Sequence, residues 1–254
     1  MNPGDDVAQS ITPGVRTLPI TAPFAWLARG WSDFRAHPLP SVFYGVCFAV
    51  MGWLIAVVFR HAYQYVSALI CGFFLVGPFL ATGLYALSRR RELGEPMWLA
   101  PTLDAWRPNV GAIGVFSLVL TVILLVWARA SLIVFALFYT SEMPSVDRFL
   151  EQIVSFDNLE FLVAYFCVGG FFAIFVFAIS VVSVPMMLDR HVDGVTAVLT
   201  SLKAFGNNVP AMILWGVLIA LVIGAGFALW FAGLVVAVPV IGHATWHGYR
   251  ALVE

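Results

Sequence analysis

His243 and His247 stand four residues apart near the end of the chain. On a helix this spacing puts both imidazoles on one face, an arrangement many metal and haem ligand pairs use. They lie four and eight residues past Pro239, and Asp189 and Asp193 lie at the same offsets past Pro185. If the segments carrying them pack with approximate internal symmetry, two imidazoles and two carboxylates converge at one mouth of the molecule, with His191 beside them. Such an oxygen and nitrogen set suits zinc, iron or manganese. The plainer reading of paired histidines at a helix end is hydrogen bonding to lipid headgroups and neighbouring side chains, and it calls for no cofactor. His37 and His61 stand alone and take no assigned role.

Two further charged features stand beside apolar runs. Arg89, Arg90 and Arg91 follow one such run directly, where they read either as an anionic-lipid contact or as a topology signal. Arg129 interrupts a run that begins at Val110. Charge inside a membrane is a functional hypothesis by default, but a span starting at Val110 reaches its far boundary near this residue, so snorkelling is the expected behaviour. An anion or acidic partner inside the bundle is the alternative. The chain has no Walker loop, no HExxH, no GxSxG and no GxGxxG opening a helix after a strand, so no enzyme is expected. Cys47, Cys71 and Cys167 fall in apolar runs without CxxC spacing and read as small hydrophobes.

The elements that must hold these residues follow from composition. Apolar residues make up 61% and charged residues 11% of the chain, and the mean hydropathy is +0.94. Soluble domains are nearer half apolar and a quarter charged, so this is a polytopic membrane composition. A net charge of -1 argues for no nucleic-acid partner. Crossing the hydrocarbon core takes about 20 apolar residues as a helix. Candidate spans are Ser41 to Phe59, Val66 to Leu87, Val110 to about Arg129, and Phe161 to Leu188. Val209 to Ile241 is uncharged and, at ~50 Å of helix, too long for one crossing. Glycines 224, 226 and 233 offer a reversal there. Two helices give six spans, and one broken helix is the competing reading.

Basic residues collect on one side, among them Arg16, Arg35, Arg89, Arg107, Arg190 and Arg250, against Arg60 and Arg148 on the other. By the positive-inside rule both termini are cytoplasmic, in a multi-pass protein of the inner membrane. Trp26, Trp31, Trp98, Trp106 and Trp246 fall near that interface and read as an aromatic belt. Residues 1–22 read as a disordered tail, with no cleaved signal, ahead of one membrane domain over 23–254. The outer loop carries Glu142, Asp147, Glu151, Asp157 and Glu160 with Val146, Phe149, Leu150 and Ile153 at helical spacing, the pattern of an interfacial helix.

The chain also resembles itself. Amphipathic stripes with 3, 4, 3 spacing precede the odd-numbered spans: Phe24, Leu27, Trp31, Phe34; Pro96, Leu99, Leu103, Trp106; and Val195, Val198, Leu202, Phe205. Each even-numbered span carries one proline, Pro78, Pro185 or Pro239, where a helix is expected to bend. The fold class expected is an all-α membrane bundle of about six helices, built from three units of interfacial helix plus transmembrane hairpin over 23–91, 95–190 and 194–254. Chance recurrence of amphipathic and proline-bent helices is the other explanation.

Several stretches resemble a bacterial family described only as predicted integral membrane proteins, a domain of unknown function whose members have been labelled cytochrome c oxidase subunits. The residues that carry the resemblance are Gly30-Trp31, His37 to Ser41, Gly72 to Pro78, Ser88-Arg89-Arg90 with Gly94-Glu95-Pro96, Ser180 to Pro185, and Gly242 to Arg250. The resemblance implies a membrane protein and no particular activity, and the chain shows no haem–copper histidine pattern. The function expected is a non-enzymatic scaffold, assembly partner or lipid-organising component, with membrane lipids and other membrane proteins or further copies of the chain as partners. A small-solute transporter or channel and a metal- or haem-binding respiratory module are the alternatives. A polar cavity across the midplane would mark the first alternative, and a third ligand near His243 and His247 the second.

Overall fold

The computed structural model describes residues 12–62, 65–139 and 158–254. Regular structure among them is helical: α1 (Ala22–Ala36), α2 (Pro38–His61), α3 (Val66–Glu92), two 3-10 turns (Ala100–Thr102 and Arg107–Asn109), α4 (Val110–Phe138), α5 (Leu159–Ser180), α6 (Ser183–Arg190), α7 (Gly194–Asn207), α8 (Val209–Ala228) and α9 (Leu234–Leu252). The chain is an all-α membrane bundle. By length and composition five stretches can cross a membrane: α2, α3, Ala100–Phe138, Leu159–Arg190 and α8. The expected sixth, α9, is not among them. It has 19 residues, and its last turns carry His243, Thr245, His247 and Arg250. The interfacial helix expected around Val146 to Ile153 lies outside the described residues.

Two element boundaries differ from expectation for physical reasons. α4 runs past Arg129 to Phe138, because Ala130 to Phe138 is as apolar as what precedes it. Arg129 lies about 28 Å along this helix from Val110 and is exposed. The apolar stretch ahead of Arg190 is broken after Ser180, and Pro185 enters in the first turn of α6. Pro185 therefore follows a break, whereas Pro78 and Pro239 sit inside continuous helices. Ser201 of α7 satisfies backbone at the break: its hydroxyl donates to Ala178 O at 2.7 Å and accepts from Val182 N at 3.2 Å. A neighbouring hydroxyl thus tolerates discontinuous helix inside a bundle.

Val209 to Ile241 is two helices, joined through Leu229 to Gly233. The left-handed residues of that turn are Trp230 and Phe231, at φ 52° and 64°, rather than the glycines. Gly226 and Gly233 instead permit close approach: a Cβ on Gly233 would stand 2.7 Å from Gly226 Cα.

Contacts divide the chain into two compact units. One is 119–177, where Phe161 is fully buried with ring centroids 5.0 to 5.8 Å from Tyr139, Phe135, Tyr165 and Phe138. The other holds the described residues up to Leu118 and those from Ala178 to Glu254. Its axis is α9, which packs on α1, α2, α3 and α8 and buries residues along both apolar and polar turns. Trp26, Trp215 and Trp246 are buried in this unit, so two of the tryptophans expected in an interfacial belt are core residues instead. Trp31 and Trp98 are exposed, as a belt requires.

The stripes preceding the odd-numbered spans take different forms. α1 and α7 are helices, but 95–109 is built from 3-10 turns, with Pro101 and Pro108 ending regular hydrogen bonding. In α7 the buried face is Ala197, Thr200, Ser201 and Ala204, and Val195 and Leu202 of the apolar stripe are exposed. α1 likewise exposes Phe24 and Trp31. In α7 small and polar residues face protein and large apolar ones face outward, the disposition of a helix lying at a membrane interface, whereas α1 also buries Trp26 and Phe34.

Residues 12–21, expected in a disordered tail, are tied to the bundle. Arg16 N donates to Leu252 O at 2.8 Å and Glu254 N to Gly14 O at 3.0 Å. Asn208 accepts from Leu18 N at 2.7 Å and donates to Arg16 O at 3.0 Å.

Candidate functional site

The polar core of the larger unit forms where α1, α2, α3 and α9 meet. Asp33 is an isolated acidic residue in its region, the sole carboxylate between Asp6 and Glu92, and it is 3% exposed. Gly30 brings α1 against α9, since a Cβ there would stand 2.6 Å from Val240 O and Ala244 N. The crossing carries Asp33, one turn on, to the face of α9 that holds His243 and His247.

The proton positions follow from the donors and acceptors available. Ser88 Oγ donates to Asp33 Oδ2 at 2.6 Å. Its lone pair then takes the proton of His243 Nδ1 at 2.7 Å, which leaves Nε2 of the neutral ring to accept from Ser41 Oγ at 2.9 Å. Ser41 Oγ also lies 3.3 Å from His37 O. His247 Nε2 meets Asp33 Oδ2 at 2.9 Å. Arg91 donates to Asp33 Oδ1 and, at 3.1 Å, to Ser32 Oγ. Burial alone would raise the Asp33 carboxyl, but the hydrogen bonds from His247 and Ser88 and the adjacent imidazoles outweigh it and hold it below its ordinary value of 3.8.

A second set of ion pairs adjoins the first. Glu92 lies 3.7 Å from His247 Nδ1 and 3.3 Å from Arg250 Nε. Arg250 reaches Asp189 Oδ2 at 3.4 Å, and Arg89 reaches Asp189 Oδ1 at 3.0 Å. Tyr249 OH donates to Asp189 Oδ2 at 2.8 Å and accepts from Arg190 at 3.0 Å. A chain of charge thus runs from α1 through α3 and α9 to α6.

The four residues expected to converge on a metal are divided by this arrangement. His247 bonds to Asp33 and His243 to Ser41 and Ser88, and Asp189 is held between Arg89, Arg250 and Tyr249. Asp193 caps α7, accepting from Val195 N at 2.9 Å, Thr196 N at 3.0 Å and Thr196 Oγ1 at 2.7 Å. Its carboxyl is held below the usual range, first by the Thr196 hydroxyl. Among the described residues no three His, Cys, Asp or Glu side chains are grouped to hold a metal. The physical reason is the pairing of each carboxylate with cations or backbone N–H groups.

The arginine triplet is likewise engaged within the protein. Arg89 faces Asp189 and Arg91 faces Asp33, while Arg90 donates to Pro96 O at 2.8 Å and lies 3.1 Å from Glu95. The anionic-lipid contact expected of these three would have to compete with those partners. Sequence reasoning missed Asp33, Ser41 and Ser88; the isolation of Asp33 among apolar and basic residues was the available signal.

Two recesses flank this core. A polar cleft of about 280 Å³ is lined by Arg29, Ser32, Asp33, Ser88, Arg91, Glu92 and His247. The larger recess, about 520 Å³, is apolar. It is lined by Val222 and Gly226 of α8, Leu229 and Gly233 of the turn, Val236 and Val240 of α9, and Leu27 and Trp31 of α1. Chemically the polar core can fasten α1 and hold protons. Ser88 donates to the carboxylate and receives from the imidazole, the reverse of the proton direction that activates a serine nucleophile.

No curated protein and no solved structure matches the chain. Residues 65–189 match a family model described as "Predicted integral membrane protein (DUF2189)", which is the family of membrane proteins that the sequence resembles.

Proposed function

We propose that the protein is a non-enzymatic membrane scaffold that organises lipid at its flank. The observation that carries this reading is the closure of the polar core: Asp33, Ser88, His243, Ser41, His247 and Arg91 bond to one another and fasten α1 across α9. A transport pathway presents polar groups along a continuous route for a passing solute, whereas here they bond to one another and line a cleft of about 280 Å³. The larger recess is apolar and is lined in part by Leu27 and Trp31 of the helix that the core fastens.

A small-solute transporter is the second reading, favoured by the break between α5 and α6 beside Pro185, since discontinuous helices line many transport sites. The two separate in proteoliposomes loaded with pH-sensitive and ion-sensitive dyes. Under the scaffold reading, flux through vesicles holding the protein equals that of empty vesicles, and native mass spectrometry finds lipid retained at fixed stoichiometry after detergent extraction. Protein-dependent flux that Asp33→Asn abolishes would put the transporter first.

A further inference from the structure

We propose that the apolar recess under α1 is a seat for one membrane phospholipid, its acyl chain lying in the crease between α8 and α9 and its phosphate held by Arg35. The proposal rests on the scaffold reading and names the ligand class that reading leaves open.

Three features on α1 fall in one row. Leu27, Trp31 and Arg35 are spaced four residues apart and share a helix face. Leu27 and Trp31 line the recess, and Arg35, one turn further, is exposed and pairs with no carboxylate among the described residues. Read along the row, the surface passes from aliphatic to amphipathic aromatic to cationic. A phospholipid offers each a complement, its acyl chain to Leu27, its glycerol ester to Trp31 and its phosphate to Arg35. Tryptophan favours the ester depth because its ring is apolar and its N–H polar. A guanidinium matches phosphate geometry and, unlike Arg89, Arg90 and Arg91, the one on Arg35 is not engaged by a carboxylate.

The shape of the recess selects a chain over a helix. Its lining includes the Gly226–Gly233 contact, where the two backbones already touch, so these glycines are not available to receive a partner helix. A helix is about 10–12 Å across, and one lying along the crease would run into Leu27 and Trp31. An acyl chain can end there, with its headgroup turned out past Trp31. The recess of about 520 Å³ is also within the range of small-ligand sites, roughly 300–1,000 Å³.

The test uses the full chain in vesicles of phosphatidylethanolamine containing a small share of phosphatidylglycerol with a photoactivatable diazirine on one acyl chain. After irradiation, labelled peptides are mapped by mass spectrometry. Label concentrated on the α8 and α9 residues of the crease, lost in Val236→Trp and in Ala225→Phe, supports the seat. Arg35→Gln, which removes one charge-assisted contact, should lower lipid retention on native mass spectrometry about tenfold. Val115→Trp, on a lipid-exposed face of α4, should leave both readouts unchanged and shows that an added tryptophan alone is tolerated. Label spread evenly over the apolar faces of α2, α4 and α8 would overturn the seat while leaving the scaffold reading standing. Cross-links between two copies of the chain at the crease, with lipid label excluded from it, would also overturn it in favour of self-association. Solute flux would instead overturn the scaffold reading.

Discussion

Asp33 and His247 are 214 residues apart in the chain, and their side chains meet at 2.9 Å inside the bundle. With Ser88 on the same oxygen and Arg91 on the other, Asp33 is the point at which α1 is fixed to α3 and α9. Its loss leaves the buried Ser88 hydroxyl and His247 imidazole without their acceptor and unpairs the exposed Arg91 guanidinium. Leaving a buried donor without its acceptor costs about 1–3 kcal/mol, so Asp33→Ala should lower stability by at least that order. Thermal unfolding in mild detergent, followed by the fluorescence of buried Trp26 and Trp215, measures it. A variant as stable as the parent would mean that α1 is held by apolar contact alone.

The same carboxylate sets an acid limit. Its folded-state pKa is depressed, so its contribution is fully present above the ordinary value of 3.8 and is lost as pH falls through the lower folded value. Unfolding temperature should therefore hold level down to about pH 4 and drop below it, and the drop should be shallower in Asp33→Asn, which has no carboxyl to titrate. A parallel pair of pH profiles for parent and variant would assign acid sensitivity elsewhere.

Metal binding at His243 would require breaking bonds on both ring nitrogens, to Ser88 and Ser41. His247 would have to release Asp33. The His243→Ala, His247→Ala double variant should thus lose stability while its metal content, by elemental analysis, and its visible spectrum stay those of the parent. Stoichiometric metal in the parent that disappears in the variant would instead restore the respiratory-module reading.

The helices were legible in the sequence because apolar run length reports on crossing a bilayer directly. The partition of Val209 to Ile241 into two was legible from its length alone, although the turn uses Trp230 and Phe231 rather than glycine for its left-handed backbone. Run length alone could not show that α9 would bury His243 and His247, since these are made tolerable by partners elsewhere in the chain. His243 and His247 stood out by spacing, but spacing cannot reveal that His247 meets Asp33, brought close by the Gly30 crossing, or that His243 lies between Ser41 and Ser88. Asn109 and Asn208 each stand directly ahead of a long helix, α4 or α8. Their shared role is tertiary: Asn109 donates to Met187 O and Val192 O at 3.0 and 2.8 Å, and Asn208 holds the chain at Arg16 and Leu18. Residues 12–21 read as disordered because their order comes from those remote partners and not from local propensity.

The approach of α2 to α9 gives the last prediction. A Cβ on Gly45 would stand 2.2 Å from Val235 O, a backbone atom that no rotamer change can move. Gly45→Ala must push the helices apart, and overpacking of this kind costs typically about 1–3 kcal/mol. Gly111, in the first turn of α4, has nothing within 4 Å of the same position. Gly111→Ala should be neutral or slightly stabilising, since alanine is the better helix former by up to about 1 kcal/mol. Unfolding of the two variants, measured side by side in one detergent, distinguishes a tight contact from a general intolerance of added methyls. Equal effects would mean that α2 and α9 stand further apart than the structure has them. Because Ser41 lies one turn before Gly45 on α2, a parted helix pair would also draw the Ser41 hydroxyl from His243 Nε2. Gly45→Ala should then shift the His243 imidazole resonances, and Gly111→Ala should leave them in place.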